Sequence, residues 1–225
     1  MQLRRFMSIA LHPNGKVHFL SRLSRDSSVL DVGCGNNSPY QVKALLPNSV
    51  YTGIDIADYN HTKPNKADHY ILTSPEKFAS EIGNFNESFD AVISSHNIEH
   101  CNDRYATFAA MLRATRVGGK MYVSFPSARS VSFPRRAGTL NYFDDSTHKG
   151  DPPDFDRLLA MAREHGFEAI FTSRSNRPIL ARLIGLMVEP ISRLRKKVLR
   201  GTWEYYGFES VMILERVRRQ VRKTR

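Results

Sequence analysis

The feature that most restricts this chain is a short run, Ser28-Val-Leu-Asp-Val32, that passes directly into Gly33-Cys34-Gly35. An apolar, β-branched run that ends in glycine reads as a buried strand. Glycines at its end let the backbone turn sharply and approach a ligand with no Cβ in the way. A second strand, Val50 to Ile56, carries Asp55 at its end, twenty-two residues after Gly33. A carboxylate in that place can accept both ribose hydroxyls of an adenosine.

The rest of the chain repeats the alternation. Strand-like runs recur at His69 to Leu72, Phe89 to Ser94, Lys120 to Pro126, Phe167 to Thr172 and Phe208 to Leu214. Helical patterns separate them at Gly15 to Leu23, Pro39 to Leu46, Phe155 to His165, and Asp103 to Arg116 with Gly118-Gly119 as its stop. Ser74-Pro75-Glu76 reads as a helix start, with serine as N-cap, proline at the first position and an acid in the first turn. One or two helices span Ile179 to Arg200, and Pro190 is expected to break that run. Strands and helices at this spacing predict an α/β fold, a single doubly wound Rossmann-like sheet that is mostly parallel. Chemistry then belongs beyond the carboxyl ends of the strands, after residues 32, 55, 94 and 125.

Two details discriminate among nucleoside ligands. The dinucleotide fingerprint wants a third glycine three positions after Gly35, and Ser38 stands there instead. Asp31 sits just before the glycines, where it would repel a phosphate but can orient an ammonium. S-adenosylmethionine carries a sulfonium and an α-ammonium and no phosphate, and suits these groups better than NAD.

The motifs V-L-D-V-G-C-G, Y-T-G-I-D-I, F-D-A-V-I-S-S-H-N-I-E-H and L-R-A-T-R-V-G-G-K-M-Y-V-S-F-P, in that order, closely resemble those of class I S-adenosylmethionine-dependent methyltransferases, best of all the type 11 family. The resemblance runs from about Ser28 to Pro126, and more loosely through Thr147-His148 to Leu214. It implies the class I methyltransferase fold with an antiparallel last strand, and a donor site in which Gly33 and Gly35 line the methionine moiety beside Asp31. Asp55 would hold the ribose and Ile56 would pack on adenine. Ser74, Pro75 and Glu76 sit where the family contacts the adenine edge, and the Ser94 backbone would lie under the sulfonium.

Methyl transfer is an in-line displacement, and holding the reacting atoms collinear supplies much of the acceleration. A base is needed only where the acceptor is a hydroxyl that must lose its proton. Histidines are the groups poised for that at neutral pH. His96 and His100 flank Asn97-Ile-Glu99 at the expected pocket mouth, and His148 lies in the long segment 126–152, where relatives carry a pocket histidine. His96, His148 and His100 are therefore the catalytic candidates. Asp144, Asp145 and His148 show no recognisable ligand spacing, so no metal is expected. Asp151-Pro-Pro-Asp154 reads as a turn that starts a helix.

With 225 residues the chain has length for one α/β domain, and its 41% hydrophobic and 24% charged content excludes wholesale disorder. The expected organisation is a methyltransferase domain over 1–215, with an N-terminal helix region (1–27), an active-site loop (126–152), a basic amphipathic insertion (178–206) and a basic tail (216–225). Cys34 and Cys101 have no C-x-x-C spacing, which argues against a disulfide framework or zinc site and fits a cytoplasmic setting. Phe6 to Leu11 is too short for a signal sequence, and Pro178 to Ile191 is too interrupted for a membrane span.

The formal charge of +11 is concentrated. Residues 192–225 hold eleven Lys or Arg against three Glu, and so carry +8 of it. Leu180, Leu183, Ile184, Met187, Ile191, Leu194 and Val198 recur at helical spacing just before. Such a stripe can cover a core. Joined to Arg193 through Arg200 and to Trp203, Tyr205 and Tyr206, it can instead lie on an anionic membrane, at the inner face for a cytoplasmic protein. The segments T-L-N-Y-F-D-D-S-T-H-K and E-P-I-S-R-L-R-K-K are similar to type 11 methyltransferases of bacterial surface-polysaccharide clusters, which implies a small-molecule or glycan acceptor, lipid- or phosphate-linked. The competing expectations are an RNA-modifying methyltransferase that uses the basic C-terminus, and a non-catalytic protein that only binds S-adenosylmethionine. Nucleic acid is the less expected partner, because no RNA-binding module or base-methylation signature is present.

Overall fold

The computed structural model describes residues 2–218 except 36, 60 and 61, with side chains from residue 6 onward. Its strands are β1 (Ser28–Val32), β2 (Val50–Asp55), β3 (His69–Leu72), β4 (Phe89–Ser95), β5 (Thr115–Pro126), β6 (Phe167–Ser173) and β7 (Glu209–Arg216). They form one sheet in the order β3-β2-β1-β4-β5-β7-β6. β1 to β5 run parallel, and β7 is antiparallel to both β5 and β6. The sequence order reverses between β1 and β4, so the crevice beyond their carboxyl ends is where a ligand fits.

The strand pattern divides the core. Leu30, Val32 and Val92 enter the cluster on one face of the sheet, with Phe108, Met111 and Leu112; Val29, Ala91 and Ile93 enter the cluster on the other, with Phe19, Leu20 and Val42. The helices that supply those residues include α2 (Lys16–Ser21), α3 (Ser38–Leu45), α5 (Arg104–Ala114) and α6 (Phe155–Glu164); α1 (Gln2–Leu11) and α4 (Phe78–Gly83) complete the first part of the chain. Asp154 caps α6 by accepting from Asp156 N and Arg157 N, the role its sequence gave it.

Three helix expectations need correction. α4 starts at Phe78, after Ser74–Lys77 has made a turn closed by Lys77 N donating to Ser74 O at 3.1 Å; the Ser74 hydroxyl bonds Glu76, so it caps no helix. α5 stops at Ala114, well before Gly118, because Ser88 N takes the Ala114 carbonyl and Thr115 already pairs with Phe89 in the sheet. α7 (Ile179–Leu194) runs through Pro190 unbroken. Pro190 is exposed, so the carbonyl it leaves without a donor opens to water, while Arg136 holds Glu189 and Ser192 on either side.

The stripe on α7 does not cover the core. Its buried positions are the small ones, Ala181, Gly185 and Ser192. They pack on α8 (Thr202–Tyr206) and the residue before it, so tightly that a Cβ on Gly185 would stand 2.0 Å from Gly201 O. Ile179, Leu183, Met187 and Leu194 face outward at 77%, 51%, 71% and 85% exposure. No helix among the described residues is long and apolar enough to cross a membrane. Arg216 closes β7 and pairs with Glu87 at 2.9 Å, so it does not belong to a tail; residues 219–225 lie outside the described residues.

Candidate active site

At the end of β1, Gly33 and Gly35 both adopt left-handed backbone, with φ of +71° and +59°. Gly33 N donates to Ile54 O at 2.9 Å, and a Cβ there would fall 2.2 Å from Asn97 Oδ1. That position is therefore closed by the turn after β4. A Cβ on Gly35 would meet nothing within 4 Å, so this glycine opens on free space. Between these two lies the donor end of the crevice.

Asp31 is buried beside it. Its Oδ2 accepts from Tyr51 Oη at 2.9 Å, from Lys16 Nζ at 3.2 Å and from the Ser38 hydroxyl, which in turn accepts from Lys16 Nζ at 2.7 Å. Its Oδ1 is buried and receives no hydrogen bond from any described residue. A buried carboxylate oxygen without a donor is costly unless something fills the place. Asp55, at the end of β2, accepts from Gly35 N and Ile56 N, each at 2.8 Å. Burial raises its pKa, and these two amides restrain the rise. Each oxygen keeps lone pairs for further donors. Ile56 is exposed at 43%, an apolar surface left open just beyond the strand. Thr73 N donates to Asp55 O at 3.0 Å, which brings Ser74, Pro75 and Glu76 to the same edge, all exposed. Ser94 is fully buried at the end of β4, with Asn97 Nδ2 3.5 Å from its hydroxyl.

The histidines divide into two kinds. His96 leaves β4 with φ +51°, its Nδ1 3.3 Å from Glu99 Oε1 and its Nε2 3.2 Å from Glu209 Oε1, and with Trp203 and Phe208 flanking its ring. Burial alone would lower its pKa, but the Glu209 and Glu99 carboxylates outweigh that and hold it at about 10. At neutral pH it is an imidazolium with both nitrogens engaged. The expectation of a catalytic base does not fit that geometry, and His96 instead positions Glu99 and Glu209.

His100 and His148 each have an Nε2 with no hydrogen bond to a described residue, that of His148 lying 3.9 Å from Asp145 Oδ2. His148 Nδ1 lies 2.6 Å from Tyr142 O, an acceptor only, so Nδ1 carries the proton. Thr147 Oγ1 gives its one proton to Asp145 Oδ1 at 2.6 Å, and therefore accepts from His100 Nδ1 at 2.9 Å. The network therefore places a proton on Nδ1 of both rings and turns their Nε2 atoms away from these acceptors. Their centroids are 4.8 Å apart, with His148 stacked on Tyr142. Segment 126–152 holds them there: Asp144 Oδ2 accepts from Arg136 N, Leu140 N and Asn141 N, and Leu140 and Tyr142 are buried. The long segment is packed, with one-turn helices at Ala128–Ser132 and Tyr142–Asp144.

The site also uses residues that sequence reasoning passed over. Lys16, Tyr51 and Ser38 complete the Asp31 network, Glu209 arrives from β7, and Asn97 fills the space over Gly33. Ser38, noted only as a missing glycine, was the nearest to a usable signal.

Comparison with known proteins agrees with this reading of the donor end. Residues 30–123 match the family model described as a methyltransferase domain. No curated protein sequence matches the chain at significance. Among solved structures, the fold is similar to an S-adenosylmethionine-dependent methyltransferase of Mesorhizobium loti, with a TM-score of 0.60, 15% identity and coverage of 89% of this chain and 97% of that one. A methyltransferase of Archaeoglobus fulgidus gives 0.56, 16%, 93% and 93%. Phosphoethanolamine N-methyltransferase 2 of Haemonchus contortus, solved with S-adenosylmethionine, gives 0.58, 16%, 96% of this chain and 52% of that one. Residues 30–123 match a methyltransferase domain, and the fold is similar to that of solved methyltransferases whose ligand is S-adenosylmethionine. The residues fit it. Asp31 Oδ1 offers an unclaimed acceptor for the α-ammonium, Gly35 leaves room, and Ile56 leaves an apolar face for adenine.

Proposed function

We propose that the protein methylates a hydroxyl group of a sugar or glycan that is carried on a lipid or a phosphate. When bound, the cofactor supplies an electrophilic methyl group on a sulfonium. Asp31 would hold its ammonium, Lys16 its carboxylate, Asp55 its ribose hydroxyls and Ile56 its adenine. The observation that carries the reading is the pair of imidazoles, His100 and His148, whose Nδ1 atoms are tied back to outer acceptors beyond the carboxyl end of β4, beside buried Glu99. A neutral amine attacks without first losing a proton, whereas a hydroxyl must give one up to become a competent nucleophile. In this site the hydroxyl would lose its proton at the Glu99, His100 and His148 group while β1 and β4 hold donor and acceptor in line. The test is incubation with methyl-labelled donor and three acceptor sets: nucleotide sugars, lipid-linked glycans and RNA. Label in a glycan supports the proposal; label in RNA alone, or in none while the donor is bound, overturns it.

The acceptor's membrane setting is part of the same proposal. The outward side chains of α7 form an apolar strip, and Arg193, Arg195, Lys196, Lys197 and Arg200 follow it, all exposed and with no acidic residue among them. Apolar surface next to uncompensated positive charge suits an anionic lipid surface better than it suits RNA, which offers nothing to the apolar strip. The strip continues onto α1, which touches α7 and leaves Phe6 exposed at 71%.

A further inference from the structure

We infer that Glu99, His100 and His148 form a binding site for one divalent transition-metal ion. The sequence hides this grouping, because His148 stands far along the chain from the Glu-His pair. In the fold, one possible ligand atom from each residue lies within 4.8 Å of the other two.

Two further features favour a cation over a plain hydrogen-bonded cluster. First, both imidazoles give Nδ1–H to outer acceptors, His148 to the Tyr142 carbonyl and His100 to the Thr147–Asp145 relay. That arrangement fixes the tautomer of metal-bound histidines and leaves Nε2 for the ion. Second, Glu99 is fully buried; its Oε1 has His96 Nδ1 at 3.3 Å, while its Oε2 receives no hydrogen bond from any described residue. Two imidazoles and one carboxylate suit zinc, manganese, iron or cobalt rather than calcium.

The use of the ion rests on the O-methylation reading. An acceptor hydroxyl that takes an open ligand position has its pKa lowered and releases its proton to water. Its oxygen lone pair then forms the new C–O bond, and the C–S bond of the donor breaks with its electron pair left on sulfur. The histidines would act as ligands rather than as the final proton acceptor.

The test uses full-length protein stripped with a chelator and titrated with cobalt(II) alone. The expected result is one equivalent bound, with visible ligand-field absorption. His148→Ala should abolish that signal, and Thr147→Val, at an exposed residue whose hydroxyl links His100 to Asp145, should weaken uptake by about tenfold. Binding of S-adenosylhomocysteine to each variant checks that it is folded, with His100→Asn as the replacement where His148→Ala is not. No uptake by the wild type, or equal uptake by folded variants, would overturn the site. Cobalt bound through these residues without any glycan product would keep the site and remove the O-methylation reading. Methylation at full rate by the metal-free protein would do the opposite.

Discussion

The two ends of the crevice are built differently. At the donor end, Asp31, Gly33, Gly35, Ser38, Tyr51 and Asp55 sit within one β-α-β stretch, and the paired strands β1 and β2 set their spacing directly. At the acceptor end, Glu99, His100, His148, Trp203 and Glu209 come from four distant segments joined by loops, stacked rings and ion pairs. The first end takes most of its geometry from one local stretch, with Lys16 from α2 and Asn97 from the turn after β4 added to it. The second depends on how segment 126–152 packs on β7 and α7, and that segment is free to change with the acceptor.

The largest expected effect breaks the link at the second end. Arg136 is buried, with both guanidinium nitrogens on Glu189 at 2.7 and 2.6 Å and a third bond to Ser192 Oγ at 2.7 Å. Arg136→Ala leaves Glu189 with only the Tyr206 hydroxyl, at 2.7 Å, and no cation, and should cost roughly 3 kcal/mol of unfolding free energy, measured by urea denaturation. Donor affinity in the still-folded fraction should hold. A donor affinity that falls in step with stability would show that the two ends are not separable.

Asp31→Ala strikes the first end. Loss of the ammonium acceptor, with Lys16 left unpaired, should weaken S-adenosylmethionine about a hundredfold, or roughly 2.7 kcal/mol. Cobalt uptake at the other end should stay as in the wild type. Equilibrium dialysis with labelled donor reads the first quantity, and the same sample serves for the second.

Met187→Glu places an acid in the exposed strip of α7. Sedimentation with vesicles rich in anionic lipid should fall about tenfold, and neutral vesicles should bind neither protein. Wild type that ignores anionic vesicles but dimerises through this face would replace the lipid by a second copy of the chain.

The smallest effect is in pH. The folded pKa of His96, at about 10, lies above its ordinary value of 6.5. Its contribution to stability is then complete below about 6.5 and disappears as pH rises through 10. His96→Gln should flatten the decline of melting temperature across that window. An unchanged slope would mean that His96 does not carry the charge assigned to it.

How much the sequence disclosed follows the same division. The strands, Asp55 and the glycine bend were legible because each is written in a few adjacent residues. The stripe on α7 was legible as a helix, but helical spacing does not say whether an apolar face meets a core or solvent. Its fate turned on Gly185 and Gly201, whose close approach places the small residues inward and the large ones outward. Pro190 misled because its exposure, which makes it harmless, is a tertiary fact. The meeting of Glu99 with His148 depends on Asp144 gathering three backbone amides in the intervening segment, and no local pattern announces it.

The most direct test of the donor site is calorimetric titration of the full-length protein with S-adenosylmethionine, alongside Asp55→Ala. A single site is expected in the wild type, with a loss of affinity of roughly tenfold to a hundredfold in the variant from the charged hydrogen bonds removed. Absence of binding heat in the wild type, or the same affinity in both proteins, would contradict it.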